Sequence, residues 1–224
     1  MPSEPEKLLR VTTDERGPIV VLMHGMAGAP EDLAPFARSI GVAARFVFPE
    51  GFSDLSGLGL PGRGWWPSDG AGRATAIRTG VPRDLSDFEP QGLDSAHRKL
   101  CSLLDVLIAE SPDSPLILGG FSQGAMLAFD VALRSERRIA AVQLSGARIN
   151  RRSWDPLLHK RAGTRVFLSH GRSDPDLAFS AAECFERDLR RAGWLVDYCP
   201  FDGGHEVPLV ALRGLKRFLR GLSA

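Results

Sequence analysis

The segment PLILGGFSQGAMLAFDVAL, residues 115–133, most constrains what this chain can fold into. Its apolar start predicts a buried β-strand, and its alanine- and leucine-rich end predicts a helix. Ser122 stands at the turn between them, with a glycine two positions to either side. A turn this tight strains the serine backbone, and a side chain at Gly120 or Gly124 would clash, because strand and helix nearly touch. The alternative is an ordinary turn in which Ser122 caps the helix.

Strands alternate with helices along the rest of the chain. Apolar runs predict strands over 17–24, 44–50, 138–146, 164–171 and 194–201, and helical patterns cover 31–40, 91–110, 178–193 and 208–222. This alternation predicts an α/β fold, with a mostly parallel central sheet and helices on both faces. We expect a single domain over 1–224, with no separate cap domain. The segment 51–90 is rich in glycine and proline without a sustained period, so an irregular loop near the active site is expected there.

The composition argues against several classes of function. The 28 basic residues nearly balance the 27 acidic ones, so the net charge of +1 gives no sign of a nucleic-acid partner. The charged N-terminus lacks the apolar core of a signal peptide, and no run approaches the length of a membrane helix. We therefore expect a cytoplasmic protein without stable membrane insertion. Cys101, Cys184 and Cys199 cannot all pair, which favours buried free thiols in a reducing compartment.

Two loops after later strands supply a base and an acid for the serine. A serine hydroxyl needs a base to take its proton, and the base needs an orienting acid. At a serine turn of this kind, the acid and then the histidine follow along the chain. Asp174 and Asp176 follow one predicted strand, and His205 follows the next. We prefer Asp174 because it is the first carboxylate after its strand and precedes the proline turn. The alternatives are Asp176 as the acid and a surface loop role for His205.

The other histidines are expected to have different surroundings. His97 and His159 lie in helical or loop sequence and should be solvated. His24 and His170 each precede a glycine at a strand end, where a structural hydrogen bond is expected. None of the four comes last in the required order of serine, acid and histidine.

A tetrahedral intermediate also needs hydrogen-bond donors for its oxyanion. One donor should be the backbone N–H of Gln123, directly after the serine. The other should come from the loop 24–28, whose glycines allow the backbone to fold back towards Ser122. The alternative is that this loop is an ordinary glycine turn.

At these residues the sequence resembles the phospholipase/carboxylesterase family of small α/β-hydrolases, which includes the acyl-protein thioesterases. The shared motifs are, in order, His24-Gly25, Gly120-Phe121-Ser122-Gln123-Gly124-Ala125, His170-Gly171 with Asp174, and Gly203-Gly204-His205-Glu206 with Pro208. The resemblance implies an α/β-hydrolase fold and a catalytic triad of Ser122, Asp174 and His205. It also implies an oxyanion hole formed by the amides of Met26 and Gln123. Members of the family cleave carboxylic esters or thioesters with no metal and no cofactor.

The chain departs from the family in two regions that would contact substrate. Met26-Ala27-Gly28 stands where the family usually has an acidic residue shortly after the His-Gly pair. Trp65-Trp66-Pro67 corresponds to a tryptophan-containing stretch of the family, but in this chain it is surrounded by glycines and prolines. Because the two tryptophans lack the period that would bury both, we expect Trp65 or Trp66 to be the apolar substrate contact in a wall of the acyl site. The alternative is that one ring only pins the segment to the body.

These features predict a serine carboxylesterase that hydrolyses short- to medium-chain carboxylic esters through an acyl-enzyme. One alternative is an acyl-protein thioesterase or lysophospholipase, which needs a long apolar channel. Another is a non-catalytic receptor on the same fold, which would be free to lose the base or the nucleophile. The expected partner is a small ester or thioester, and the sequence leaves a homodimer open.

Overall fold

The computed structural model describes residues 7–68 and 70–222, and its centre is a seven-stranded sheet. The strands, in chain order, are β1 (Leu8–Thr12), β2 (Ile19–Met23), β3 (Arg45–Pro49), β4 (Ser53–Asp54), β5 (Arg63–Gly64), β6 (Leu116–Phe121), β7 (Ala140–Leu144), β8 (Arg165–Gly171) and β9 (Leu195–Phe201). The order across the sheet is β1-β3-β2-β6-β7-β8-β9, while β4 and β5 form a separate antiparallel pair. Among the described strands of the large sheet, β1 alone is antiparallel to its neighbour. The predicted mostly parallel sheet is confirmed.

Helices cover both faces of the sheet, as the sequence predicts. They are α1 (Ala34–Ile40), α2 (Ala71–Thr79), α3 (Leu93–Glu110), α4 (Gln123–Arg134), α5 (Arg151–Leu158), α6 (Phe179–Arg191) and α7 (Leu209–Arg220). Apolar residues of α3, α4, α5 and α6 share one core cluster, and those of α1 and α7 share the other. Within residues 7–68 and 70–222, no helix has both the length and the apolar composition that crossing a bilayer requires.

The side chains of β2 show why this strand is apolar throughout. All five of its residues are buried, because β2 lies between two other strands and both of its faces are covered. Val21 and Met23 belong to the cluster with α3 and α4, while Val20 and Leu22 belong to the cluster with α1 and α7. Successive side chains of a strand point to opposite faces, so one apolar run serves both cores.

The segment 51–90 is more ordered than the irregular loop that the sequence predicts. It contains β4, β5 and the nine-residue helix α2. Ala76 is the buried residue of α2. The helix therefore has no apolar stripe from which it could be predicted. The edge strand β1 and the short helix α5 were likewise not predicted.

The cysteines do not all have the predicted burial. All three are free thiols, but Cys184 is exposed, and Cys101 and Cys199 are half-buried. The prediction that all three would be buried is wrong, because Cys101 and Cys199 only pack against the margins of the two core clusters and Cys184 belongs to neither.

Candidate active site

The turn at Ser122 joins β6 directly to α4. Ser122 has φ 54° and ψ −118°, a backbone conformation that L residues rarely adopt. A Cβ at Gly120 would lie 2.5 Å from the carbonyl oxygen of Met23, and one at Gly124 would lie 2.4 Å from the same oxygen. Glycine is therefore required at both positions, because the end of β2 passes so close to the turn. The serine hydroxyl stands at the carboxyl end of the sheet, where sites of parallel sheets lie.

Ser122, His205 and Asp174 form a chain of hydrogen bonds. His205 Nε2 lies 2.9 Å from Ser122 Oγ, and His205 Nδ1 lies 2.7 Å from Asp174 Oδ2. Because an ionised carboxylate only accepts hydrogen bonds, Nδ1 carries the proton and Nε2 presents its lone pair to the serine hydroxyl. The structure thus brings together three residues that follow three different strands.

Main-chain donors fix the carboxylate of Asp174 from its other side. Asp174 Oδ1 accepts hydrogen bonds from the N–H groups of Asp176 at 2.8 Å and Leu177 at 2.9 Å. Burial alone would raise the pKa of the Asp174 carboxyl, but the hydrogen bond and charge of His205 and the two main-chain donors outweigh it. The pKa of Asp174 is therefore below its ordinary value, and the group is ionised at neutral pH.

Asp176, the alternative acid, forms ion pairs with two arginines and has no hydrogen bond or ion pair with His205. Its Oδ1 accepts a hydrogen bond from Arg83 Nε at 2.8 Å, and its Oδ2 lies 3.5 Å from Arg73 Nε. Its side chain is almost fully buried. The geometry therefore favours Asp174 as the partner of the imidazole.

The loops that carry the acid and the base are held together by their backbones. The N–H of Ser173 donates to the carbonyl of Gly203 at 3.0 Å, and the N–H of Arg172 donates to the carbonyl of Phe201 at 2.9 Å. A Cβ at Gly171 would lie 2.2 Å from the carbonyl oxygen of Gly204, so only glycine allows this approach. These contacts set the position of His205 relative to Asp174.

Two further histidines near the site have structural roles, as predicted. His24 Nε2 accepts a hydrogen bond from the N–H of Gly51 at 2.9 Å, so its Nδ1 carries the proton and donates to the carbonyl of Gly25 at 2.8 Å. His170 Nε2 donates to the carbonyl of Leu177 at 3.1 Å. Burial lowers the pKa of both imidazoles, which are therefore neutral at pH 7.

The prediction that His97 is solvated is wrong. Its Nδ1 lies 2.7 Å from Oδ2 of Asp130, a fully buried carboxylate that also accepts a hydrogen bond from Trp154 Nε1 at 2.9 Å. Burial alone would lower the pKa of His97, but its interactions with Asp130 and Cys101 raise that pKa to about 9. The imidazole is therefore protonated at neutral pH. His159 is exposed, as predicted.

Met26 and Gln123, whose main-chain N–H groups are the expected oxyanion donors, line the same cleft as Ser122. Gln123 is the first residue of α4, so no preceding helical turn accepts its N–H. In the described part of the chain, neither N–H donates to another residue. Ala27 has φ 61°, and Gly28 N–H donates to the Gly25 carbonyl at 3.2 Å, which closes the turn that presents Met26. Both groups remain free to act as oxyanion donors.

A cleft of about 110 Å³ opens beside Ser122 and His205. Its apolar lining comes from Met26, Trp66, Leu85, Phe88, Phe121, Met126 and Leu177. In residues 7–68 and 70–222, no group of three or more His, Cys, Asp or Glu side chains is arranged to hold a metal ion.

Trp65 and Trp66 differ in their relation to the cleft. Both are buried, with 1% and 3% of their surface exposed, so the prediction that they would not both be buried is wrong. Trp66 lines the cleft and Trp65 does not. Trp65 Nε1 donates to the carbonyl of His24 at 2.8 Å, and its ring meets Phe52 edge-on. Trp65 thus pins the segment to the body, and Trp66 alone remains a candidate substrate contact.

The sequence did not predict the structural role of the Gln123 side chain or the presence of two arginines in the cleft. The side chain of Gln123 accepts a hydrogen bond from the N–H of Trp65 at 2.9 Å and donates to the carbonyl of Trp66 at 3.3 Å. It thereby ties the serine turn to the cleft wall. Arg73 and Arg83 also line the cleft. The only signal for these arginines was their place in the long segment beside the site, since arginine is abundant throughout the chain.

Comparisons with known proteins bear on the family and the fold of the chain. The sequence model of the family described as Phospholipase/Carboxylesterase matches residues 9–223. The solved structure of esterase PE8 is 26% identical, covering 96% of this chain and 97% of its own, with a TM-score of 0.77. The Bacillus cereus carboxylesterase is 20% identical, with coverages of 96% and 93% and a TM-score of 0.72. Zea mays acyl-protein thioesterase 2 is 19% identical, with coverages of 97% and 99% and a TM-score of 0.76. No curated protein sequence matches the chain significantly.

Proposed function

Since this chain belongs to the phospholipase/carboxylesterase family of α/β-hydrolases, we propose that it works as a serine carboxylesterase. Hydrolysis of the carboxylesterase or thioesterase type is the chemistry of the family and of the structures it resembles. The finer proposal is a single-domain enzyme that cleaves short- to medium-chain carboxylic esters through an acyl-enzyme. It is supported above all by the hydrogen-bonded chain from Asp174 through His205 to Ser122.

Acylation follows from the positions of these groups. Ser122 Oγ attacks the ester carbonyl carbon while His205 Nε2 takes the hydroxyl proton. The ionised carboxylate of Asp174 stabilises the imidazolium that forms. The N–H groups of Met26 and Gln123 donate to the oxyanion of the tetrahedral intermediate. The C–O bond then breaks, and the imidazolium gives its proton to the departing alcohol.

Deacylation repeats the same steps with water as the nucleophile. His205 Nε2 takes a proton from water, whose oxygen attacks the acyl carbonyl carbon. The second tetrahedral intermediate is held by the same two N–H groups. Its collapse releases the carboxylic acid, and His205 returns the proton to Ser122 Oγ.

The polar groups in the lining of the cleft favour a short or medium acyl chain. A second cavity, of about 380 Å³, shares Gly25, Met26 and Phe121 with the cleft, whose own volume is about 110 Å³, so volume alone sets no limit on the acyl chain that fits the cleft. Two arginines and a carboxylate interrupt its apolar lining. A long lipid chain would need a continuous apolar channel, so this lining argues against a lysophospholipase.

Reaction with a fluorophosphonate probe tests the proposal, because only an activated serine is phosphonylated. The wild-type protein should gain the mass of one probe less HF, because fluoride leaves as Ser122 Oγ bonds to phosphorus; Ser122→Ala should gain no mass and lose about 10³-fold or more in kcat. Ser68→Ala is the matched control, since Ser68 also lines the cleft and should be dispensable for labelling. Labelling that persists in Ser122→Ala, or a wild-type protein that neither reacts nor turns over esters, would refute the mechanism and favour a receptor.

The substrate range is measured with p-nitrophenyl esters of increasing chain length beside acyl-CoA thioesters of the same lengths. The proposal expects kcat/KM to peak at short or medium esters. A maximum at palmitoyl length, or a clear preference for thioesters at every length, would contradict the carboxylesterase assignment.

A further inference from the structure

Two arginines and one carboxylate border the cleft that holds Ser122. Arg73 lies on α2, Arg83 lies in the segment after that helix, and Asp176 lies on the loop of the triad acid. Among the described residues that line the cleft, Asp176 is the only carboxylate. The two cations therefore share one counter-charge within the lining.

Both the side chain and the backbone of Arg83 are hydrogen-bonded to the loop of Asp176. Both its Nε and its Nη2 donate to Asp176 Oδ1, the first of them at 2.8 Å. The main-chain N–H of Arg83 donates to the carbonyl of Asp176 at 2.7 Å, and its own carbonyl accepts from the N–H of Ala178 at 2.9 Å. Backbone and side chain together fix Arg83 against the acid loop, and its charge is neutralised there.

Arg73 is held less tightly, through one long ion pair with the same carboxylate. Its Nε lies 3.5 Å from Asp176 Oδ2, which is beyond ordinary hydrogen-bond geometry for an N–H donor. Its side chain is 47% exposed, while that of Asp176 is 4% exposed. In the described part of the chain, the guanidinium of Arg73 donates no hydrogen bond to another residue. Arg83 takes Oδ1 of this carboxylate, and Arg73 approaches Oδ2 only through Nε, which leaves Nη1 and Nη2 of Arg73 without a partner among the described residues.

His205, which also lines the cleft, cannot supply a negative charge to balance the two arginines. The nearby negative charge of Asp174 does not balance them either, because it is directed at His205 and at two main-chain N–H groups. A guanidinium with free donors in a partly desolvated wall matches a carboxylate, which it can bind through two parallel hydrogen bonds.

We propose that Arg73 binds a carboxylate on the substrate, so that the preferred substrate is an ester that carries a negative charge near the scissile bond. This inference rests on the proposed esterase function and adds the chemical class of its substrate. Either the acyl group or the alcohol of an ester can supply the carboxylate, and the test has one arm for each source.

The acyl arm compares p-nitrophenyl butyrate with the mono-p-nitrophenyl esters of succinate, glutarate and adipate. The alcohol arm compares phenyl butyrate with 4-carboxyphenyl butyrate. In one arm, wild-type kcat/KM should be higher for the charged ester than for its neutral counterpart. Arg73→Gln should reduce that charged-to-neutral ratio by about tenfold, the size expected for the loss of a charge-assisted hydrogen bond. The arm in which this happens identifies the side of the ester that carries the anion.

Arg78→Gln is the matched control. Arg78 lies on the same helix and carries the same charge, but it donates to Thr75 Oγ1 at 3.3 Å and does not line the cleft. Its charged-to-neutral ratio should equal that of the wild type. Equal ratios in Arg73→Gln and Arg78→Gln, or no preference for a charged ester in either arm, would overturn the proposal. Hydrolysis of neutral butyrate and fluorophosphonate labelling report on the esterase function itself, so the two failures are distinguishable.

Discussion

Asp174 and Asp176 are two positions apart and equally buried, yet they have different partners. Asp174 accepts hydrogen bonds from His205 and from the main chain, while Asp176 accepts them from Arg83. The N–H of Asp176 is itself one of the donors that orient Asp174. One carboxylate is therefore placed to act on the imidazole, and the other holds the cleft wall to the acid loop.

Substitution of each acid should separate these roles. Asp174→Asn should lower kcat by up to about 10⁴-fold, the loss seen in the trypsin-like triad, because the amide leaves the imidazole in the wrong tautomer. Asp176→Asn should retain most of kcat and lose about 1–3 kcal/mol of stability, since Arg83 is left without its charged partner. Steady-state kinetics and melting temperatures of the two variants check this. A near-dead Asp176→Asn beside an active Asp174→Asn would show that the acid is wrongly assigned.

His97 should make the stability of the protein depend on pH. Its folded pKa of about 9 lies above the ordinary value of 6.5, so the folded state binds this proton more tightly than the unfolded state does. The stabilisation is fully present below about pH 6.5 and is lost as the pH rises through about 9. Asp130 faces the imidazole from α4, Cys101 faces it from α3, and Arg134 also contacts the same carboxylate at 3.3 Å.

Urea unfolding between pH 6 and 10 measures this contribution. The wild-type free energy of unfolding should decline towards pH 9, and His97→Gln should remove that part of the decline and be less stable at pH 6. His159→Gln is the control, since His159 is exposed. An unchanged pH profile in His97→Gln would mean that the buried pair does not hold the proton.

At the scale of elements, the two tryptophans of the segment 51–90 have different roles. Trp66 forms part of the cleft wall, and Trp65 attaches the segment to the body of the protein. Trp66→Ala should raise KM more for longer acyl chains than for acetate, since each methylene that is no longer buried costs up to about 0.8 kcal/mol. Trp65→Ala should instead lower stability by about 3–5 kcal/mol, because it empties a buried site, with an even loss across chain lengths. Kinetics over the p-nitrophenyl series and melting curves distinguish the two. Identical chain-length profiles in both variants would exclude Trp66 as the acyl contact.

The same segment shows where local sequence stops being informative. The loops of Ser122, Asp174 and His205 could be placed because each follows an apolar strand, and the ends of parallel strands meet at one edge. Helix α2 could not, because Ala76 is its buried residue and leaves no apolar period. His97 and Asp130 are 33 positions apart and lie on different helices, so the sequence around either residue gives no sign that they pair. Burial of Trp65 likewise depends on the carbonyl of His24.

At the scale of the whole molecule, the sheet is a platform that brings distant parts of the chain to one point. Ser122 follows β6, and the acid and base follow β8 and β9, which are paired strand to strand. The cleft wall comes from 51–90, inserted between β3 and α3, so it can vary without disturbing the sheet order. The proposed triad and the part of the cleft wall that 51–90 supplies thus come from separate parts of the fold.

The outer position of β9 has a consequence for self-association. An edge strand exposes unpaired N–H and C=O groups to which a second chain could add a strand. Pro200 lies within β9, opposite His170 of β8, and has no N–H to offer. Asp197 adds a carboxylate to the same strand. Extension of the sheet from one molecule to the next is therefore disfavoured at this edge.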